Sequence, residues 1–322
     1  MVGMNYGSFV ISLDFELMWG NIESWRIDKY GKSNVINVRR VIDNLLQLFE
    51  KYNVKATFAT VGLIMQDGNT NKKDLEPEIL PTYYDSRMSP FANGYIYKIK
   101  KKSQPLYFGT DIIEKLKQSP FVEIGTQTYS HYYCKEKGQN IHQFEADIKK
   151  AVEVAKRKGI ELKSIVFPRN QVSENYLEVC KKYGITSYRG NPQKFFNGEN
   201  SRFKIQKNRI CRLIDAYINI GGKTSYKLDS ENNGIINIPS SRFLRPYSSK
   251  LAFAEQLRLR RIRKEMEYAA KHKEVYHLWW HPHNFGSNMK ENLKFLENIL
   301  KTYNKMHIKY GMRSMNMEMF GK

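Results

Sequence analysis

The chain has 322 residues, and 53 Lys and Arg against 32 Asp and Glu leave a formal charge of +21. No apolar run approaches the roughly 20 residues a membrane helix needs, and MVGMNYGSF leads into a strand rather than a signal-peptide core, so a cytoplasmic protein is expected. Cys134, Cys180 and Cys211 lack paired spacing, which argues against a disulfide framework.

The positive charge is scattered, with its densest segment in LAFAEQLRLRRIRKEMEYAAKHK at 251–273. No nucleic-acid reader motif accompanies it, so no specific nucleic-acid partner is expected. Peripheral contact with an anionic membrane surface, or an anionic substrate, is compatible with the charge. Nothing in the sequence indicates an oligomeric state.

Residues 9–14 read as a buried strand. An amphipathic helix follows over 35–52, with Val38, Val41, Ile42, Leu45 and Leu48 or Phe49 inward. VKATFATVG at 54–62 is the next strand. The pattern repeats with a helix near 109–118, a strand at 121–126, a helix at 141–158, a strand at 163–167, a helix at 173–183 and a strand near 186–189. A helix at 251–273, a strand at 275–280 and a last helix at 288–306 complete it.

Alternating strands and helices imply parallel pairing, because each crossover returns the chain to the same end of the sheet. No glycine-rich phosphate turn follows the first strand, which favours a barrel over an open sheet. Two irregular stretches interrupt the alternation. One, at 66–108, carries Tyr83, Tyr84, Phe91, Tyr95, Tyr97 and Tyr107; the other, at 190–250, carries Phe195, Phe196, Tyr217 and Tyr226. Both are too aromatic for flexible tethers, so residues 1–322 are expected to form a single domain.

Four apolar runs end in chemically capable side chains: FVISLDFELMWG at 9–20, FVEIGTQTYSH at 121–131, SIVFPRNQ at 164–171 and VYHLWWHPHNFG at 275–286. In a parallel α/β barrel the carboxyl ends of the strands open on one face, so these clusters should meet there. Asp14 and Glu16 stand two apart and share a face, and two adjacent carboxylates call for a cation or a guanidinium. Gln127 and His131 stand four apart, the spacing of one helical face. Arg169 after Pro168 either orients Asp14 by a bidentate pair, with neighbouring amides left for an oxyanion, or merely lies on a surface turn. His281 and His283 flank Pro282, and an imidazole can protonate a departing amine. Trp279 or Trp280 could stack on a sugar ring, and His277, within the strand, reads as structural.

Taken in order, these segments, with EIGTQTYSHYYC, VFPRNQ, NIPSSRFLRPYS and LWWHPHNFG among them, resemble the polysaccharide deacetylase family with NodB-type homology, carbohydrate esterase family four, nearly end to end. Within it the likeness is to bacterial proteins with SLDFE-type first motifs and HPHNFG-type last motifs. The resemblance implies a distorted (β/α) barrel, expected here with seven strands and the two aromatic-rich loop excursions. It also implies a hydrolase of amide bonds other than peptide bonds, using a divalent metal, zinc above all, to activate water. On this chain it makes Asp14 the general base and Glu16 the acidic ligand, or the reverse. His131 matches the second metal histidine, Arg169 the base-orienting arginine, and His281 or His283 the acid. Trp280, Asn284, Tyr129 and Arg245 are the expected substrate contacts.

One departure stands out: Gln127 occupies the place of the first metal histidine, and a carboxamide oxygen is the poorer zinc ligand. The expected function is deacetylation of an N-acetylated sugar in a cell-surface polysaccharide or a lipid-linked precursor. The alternative is a weakened or silent glycan-binding relative.

Overall fold

The computed structural model describes residues 4–24, 33–192, 211, 213–228 and 234–321. Phe195 and Phe196 lie outside them. One curved sheet organises the molecule, with strands β1 (Ser8–Phe15), β2 (Ala56–Thr60), β3 (Val122–Thr126), β4 (Ser164–Ile165), β5 (Ser187–Tyr188), β6 (Ile236–Asn237), β7 (Arg242–Phe243), β8 (Val275–Trp280) and β9 (Arg313–Met315). The spatial order is β6-β5-β4-β3-β2-β1-β8-β7, with β9 beside the amino-terminal half of β1, and every pairing is parallel. Among the described residues the sheet therefore has nine strands where seven were expected. The unexpected strands are only two or three residues long, too short to show a period in sequence.

The two edge strands in this order, β6 and β7, are four residues apart in the chain. Ile236, Ile238 and Ser240 donate backbone N–H groups to Thr186, Tyr188 and Gly190 on one side, and Ser241 and Leu244 donate to His277 and Trp279 on the other. A single extended segment thus joins the edges and closes a distorted (β/α) barrel.

Alternation along each strand separates two environments. Phe9, Ile11, Leu13 and Phe15 of β1 point out and pack with Tyr276, Leu278 and Trp280 of β8 under the helices. The helix Val38–Lys51 contributes Val38, Val41, Ile42, Leu45 and Phe49 to this core, which also takes the inner face of Glu255–His272 and Met289–Tyr310. Residues of the other parity line the lumen. Val10, Ala59, Val166, Ile238, Val275, Met315 and Met317 form an apolar cluster there.

The first excursion is a packed cover of short helical turns, with Phe91, Tyr95 and Tyr107 buried. Trp19 donates its indole N–H to the Tyr107 carbonyl at 2.7 Å and so ties the cover to the loop after β1. Of the second excursion, Tyr217 and Tyr226 are both half-buried, Tyr226 packing against the apolar cluster of the lumen.

A fully buried carboxylate holds the segment after β9. Glu123 accepts the Thr57 hydroxyl at 2.6 Å, the Ser164 hydroxyl, and the Glu318 backbone N–H at 2.9 Å. Burial pushes its carboxyl up to about 6 against the pull of these donors. Glu123→Ala would orphan three donors and is expected to cost roughly 2–4 kcal/mol in urea unfolding, whereas Glu123→Gln, which keeps an acceptor, should cost under about 1 kcal/mol.

Candidate active site

Period-two alternation sends Ser12, Asp14 and Glu16 from β1 to the lumen and its carboxyl-end mouth. Asp14 meets Arg189, one residue past β5. The guanidinium lies 2.5 Å (Nη1) from Asp14 Oδ1 and 2.9 Å (Nη2) from Oδ2, a bidentate pair with both side chains removed from water. Arg189 is itself immobilised. It donates to Ser12 and Asn170 at 3.0 Å each and lies 4.2 Å over the Trp279 ring. Ser12 also lies 2.8 Å from His277 Nε2, whose Nδ1 faces the Ile238 carbonyl. Burial and the Arg189 charge lower His277 to about 3, so it stays neutral, a structural member of this chain of contacts.

Glu16 sits among imidazoles. Its Oε2 lies 3.1 Å from His131 Nε2 and its Oε1 3.4 Å from His281 Nε2, which is 3.9 Å from Asp14 Oδ2. Burial opposes ionisation of Glu16, but the facing His281, the His131 hydrogen bond and charge, and His283 overcome it and bring the carboxyl down to about 2. His283 stacks on His281 with ring centroids 5.0 Å apart, and burial and the His281 charge lower it to about 3. His281 is the open member of the group, 23% exposed against 4% for the His131 side chain.

Gln127 and His131 are not on a helix. They lie in the loop after β3, where Thr128 and His131 adopt left-handed backbone (φ 63° and 59°). Two devices hold this unfavourable geometry. Asp147, fully buried on the helix Ile141–Arg157, accepts the Tyr129 N–H at 2.6 Å, the Ser130 N–H at 3.1 Å and the Ser130 hydroxyl. On the opposite side Gly62 and Leu63 donate to the Thr128 and Tyr129 carbonyls. A side chain on Gly62 would place Cβ 2.6 Å from Tyr129 Cδ2, so glycine permits this approach.

Several expected site residues are elsewhere. Arg169 does not orient Asp14: its positive φ of 53° turns it away, and it binds Glu23 at 2.5 Å and Glu136 at 3.0 Å while covering the Tyr133 ring. Trp280 is wholly buried against Phe285, because it shares the outward parity of Tyr276 and Leu278; Trp279 is the tryptophan facing Arg189 and His281. Tyr129 is also wholly buried, donating its hydroxyl to the Leu75 carbonyl, and cannot reach a substrate. Asn284 is half-buried with Nδ2 3.5 Å from His281 Nδ1. Arg245 is half-buried just past β7 and accepts the Arg258 guanidinium on its carbonyl.

The donor set does not suit a zinc ion. Arg189 engages both Asp14 oxygens, and Glu16 and His131 are bonded directly to each other. Gln127 places Nε2 3.4 Å from Asp14 and leaves Oε1 buried without a hydrogen-bond partner, a carboxamide oxygen where zinc favours imidazole or thiolate. Among the described residues no group of three or more His, Cys, Asp or Glu is disposed to hold a metal ion.

Removing Arg189 strands Asp14, whereas Arg169 is partly in water. Arg189→Leu is expected to cost roughly 3–5 kcal/mol and Arg169→Leu under about 1 kcal/mol in urea unfolding. Asp147 gives a pH signature. Burial raises its carboxyl to about 7 despite the donors from Ser130 and Tyr129, so the folded chain holds this proton more tightly than the unfolded chain, whose value lies near 3.8. Its contribution is therefore full at acid pH and is lost as pH rises through 7. Urea midpoints should fall between pH 5 and 8, and Asp147→Asn should flatten that decline.

The polysaccharide deacetylase family model matches residues 28–188. That span holds Gln127, His131 and Asp147 and stops one residue before Arg189. Solved structures share the fold. A Mycobacterium smegmatis protein assigned to the polysaccharide deacetylases superposes with a TM-score of 0.57 at 10% identity, over 98% of this chain and 88% of that one. A probable polysaccharide deacetylase from Pseudomonas aeruginosa PAO1 gives 0.54 at 9% identity, over 98% and 89%. A 4-alpha-glucanotransferase from Thermococcus litoralis gives 0.54 at 12%, over 97% of this chain and 40% of its own. Such identities speak to fold alone, and no curated protein matches the sequence. With a family match over half of its length and a barrel shared with deacetylase structures, the chain belongs to the polysaccharide deacetylase family.

Proposed function

We propose that this protein hydrolyses the N-acetyl group of a sugar in a cell-surface polysaccharide or its lipid-linked precursor, releasing acetate and a free amine. The observation that carries the reading is the partly exposed imidazole of His281 at the barrel mouth, with Nε2 3.4 Å from Glu16 and 3.9 Å from Asp14.

Amide hydrolysis needs a group that takes a proton from water as its oxygen bonds to the carbonyl carbon. A proton must then reach the nitrogen as the carbon–nitrogen bond breaks. His281 serves both steps. Glu16, held ionised, stabilises the imidazolium formed between them, and His131 fixes the position of that carboxylate. The neutral His283 stacks behind His281 and sets its ring plane. Asp14, locked by Arg189, forms a fixed wall of the site on the same side. Trp279, half-buried beside His281, offers its ring face to a sugar.

Acetate release from N-acetylated oligosaccharides and lipid-linked sugars tests the proposal. His281→Ala should slow turnover by roughly 10²–10⁴-fold, and dialysis against a chelator should leave the rate unchanged. Stoichiometric zinc whose removal abolishes activity would overturn the metal-free mechanism; absence of acetate from every substrate would overturn the activity.

Gln127 favours a second reading, a glycan-binding relative without turnover. In that case the parent binds oligosaccharide and releases nothing, and Gln127→His creates both zinc uptake and activity. An active parent rejects it.

A further inference from the structure

The flank beside the barrel mouth carries apolar side chains that nothing in the fold requires to be in water. Phe253, in the turn leading from β7 to the helix Glu255–His272, is 83% exposed, and Leu257 in the first turn of that helix is 48% exposed. A neighbouring segment adds Ile214 at 43% and Ile218 at 60%. The two segments are pinned together. Arg261 donates to the carbonyls of Asp215 and Ile218 and pairs with the Asp215 carboxylate at 3.0 Å. Leu257 stands one helical turn before Arg261, so these side chains flank one seam.

Along the same helix, Arg260, Arg263 and Lys264 are exposed, and among the described residues none of them takes part in an ion pair. Their inward neighbours behave differently: Arg258 and Arg261 are buried and bonded to Glu255, Glu265 and Asp215. This helix therefore divides its arginines between a fold-holding face and a solvent face beside exposed aliphatic groups.

We propose that this flank is a docking surface for an anionic lipid bilayer. Free cations hold phosphate headgroups while Phe253, Leu257, Ile214 and Ile218 enter the boundary with the acyl chains. A nucleic acid would use the cations but leave the aliphatic groups without a partner. A second copy would bring another +21 charge against the first. The turn holding Phe253 leaves the carboxyl end of β7, the end where His281 opens, so docking here presents the mouth to the headgroup layer.

Vesicle co-sedimentation of the full chain tests the proposal without reference to catalysis. Binding is expected to phosphatidylglycerol–phosphatidylcholine vesicles, weakly or not at all to pure phosphatidylcholine, and to fall with added salt. Arg260→Ser/Arg263→Ser/Lys264→Ser should weaken it by roughly 100-fold. Phe253→Ser/Leu257→Ser should weaken it at least tenfold while leaving the thermal midpoint within a few degrees. Equal binding to both vesicle types, or no loss in either variant, would overturn it. So would a flank whose variants abolish binding to random duplex DNA, or dissociate a dimer, while vesicle binding persists.

Discussion

A single buried ion pair organises the mouth of this barrel. Asp14 of β1 and Arg189, just past β5, meet across the lumen with both carboxylate oxygens engaged. Two charges out of water are tolerable only when paired and held. Ser12, Asn170 and the Trp279 ring supply the holding, and His277 secures Ser12 in turn. That bracing draws β1, β5 and β8 into a fixed relation and leaves Glu16, just past the end of β1, to face the imidazoles. The chemistry at the mouth rests on the pair beneath it.

Much of this was legible in the sequence because it followed from alternation in long elements. The period that puts Asp14 and Glu16 on one face of β1 is present in SLDFE, and the paired imidazoles after β8 follow a run of six strand residues. The same rule, applied from His277, selects Trp279 as the inward tryptophan and sends Trp280 to the core. Arg189 carries no such signal, because β5 is only two residues long and offers no phase to extend. Pro168 marks a turn at Arg169, but the direction of that side chain depends on a left-handed φ that no pattern reveals. The helical spacing of Gln127 and His131 had the right consequence for the wrong reason. They approach the carboxylates because Asp147, sixteen residues downstream of His131, clamps a strained loop.

Gln127 separates family from chemistry. Membership in the deacetylase family is carried by the match over residues 28–188, yet the group at this position lacks the imidazole that a zinc set would use. In this barrel Nε2 of Gln127 is turned to Asp14, the carboxylate already claimed by Arg189. The polar mouth is therefore a network of carboxylates, imidazoles and one guanidinium bonded to one another.

Residues 313–318 bear on how the barrel is assembled. β9 fills the notch beside the first half of β1, Met317 enters the lumen, and its backbone N–H reaches Thr57 while Ser187 reaches its carbonyl. Thr57 and Ser187 are synthesised long before their partners. Until residues 313–317 are in place, the first half of β1 lacks one neighbour and the lumen lacks Met315 and Met317. The lumen beneath Asp14 is thus closed from below by a segment about 300 residues away in the chain, so the floor and the mouth of the barrel are held by opposite ends of β1.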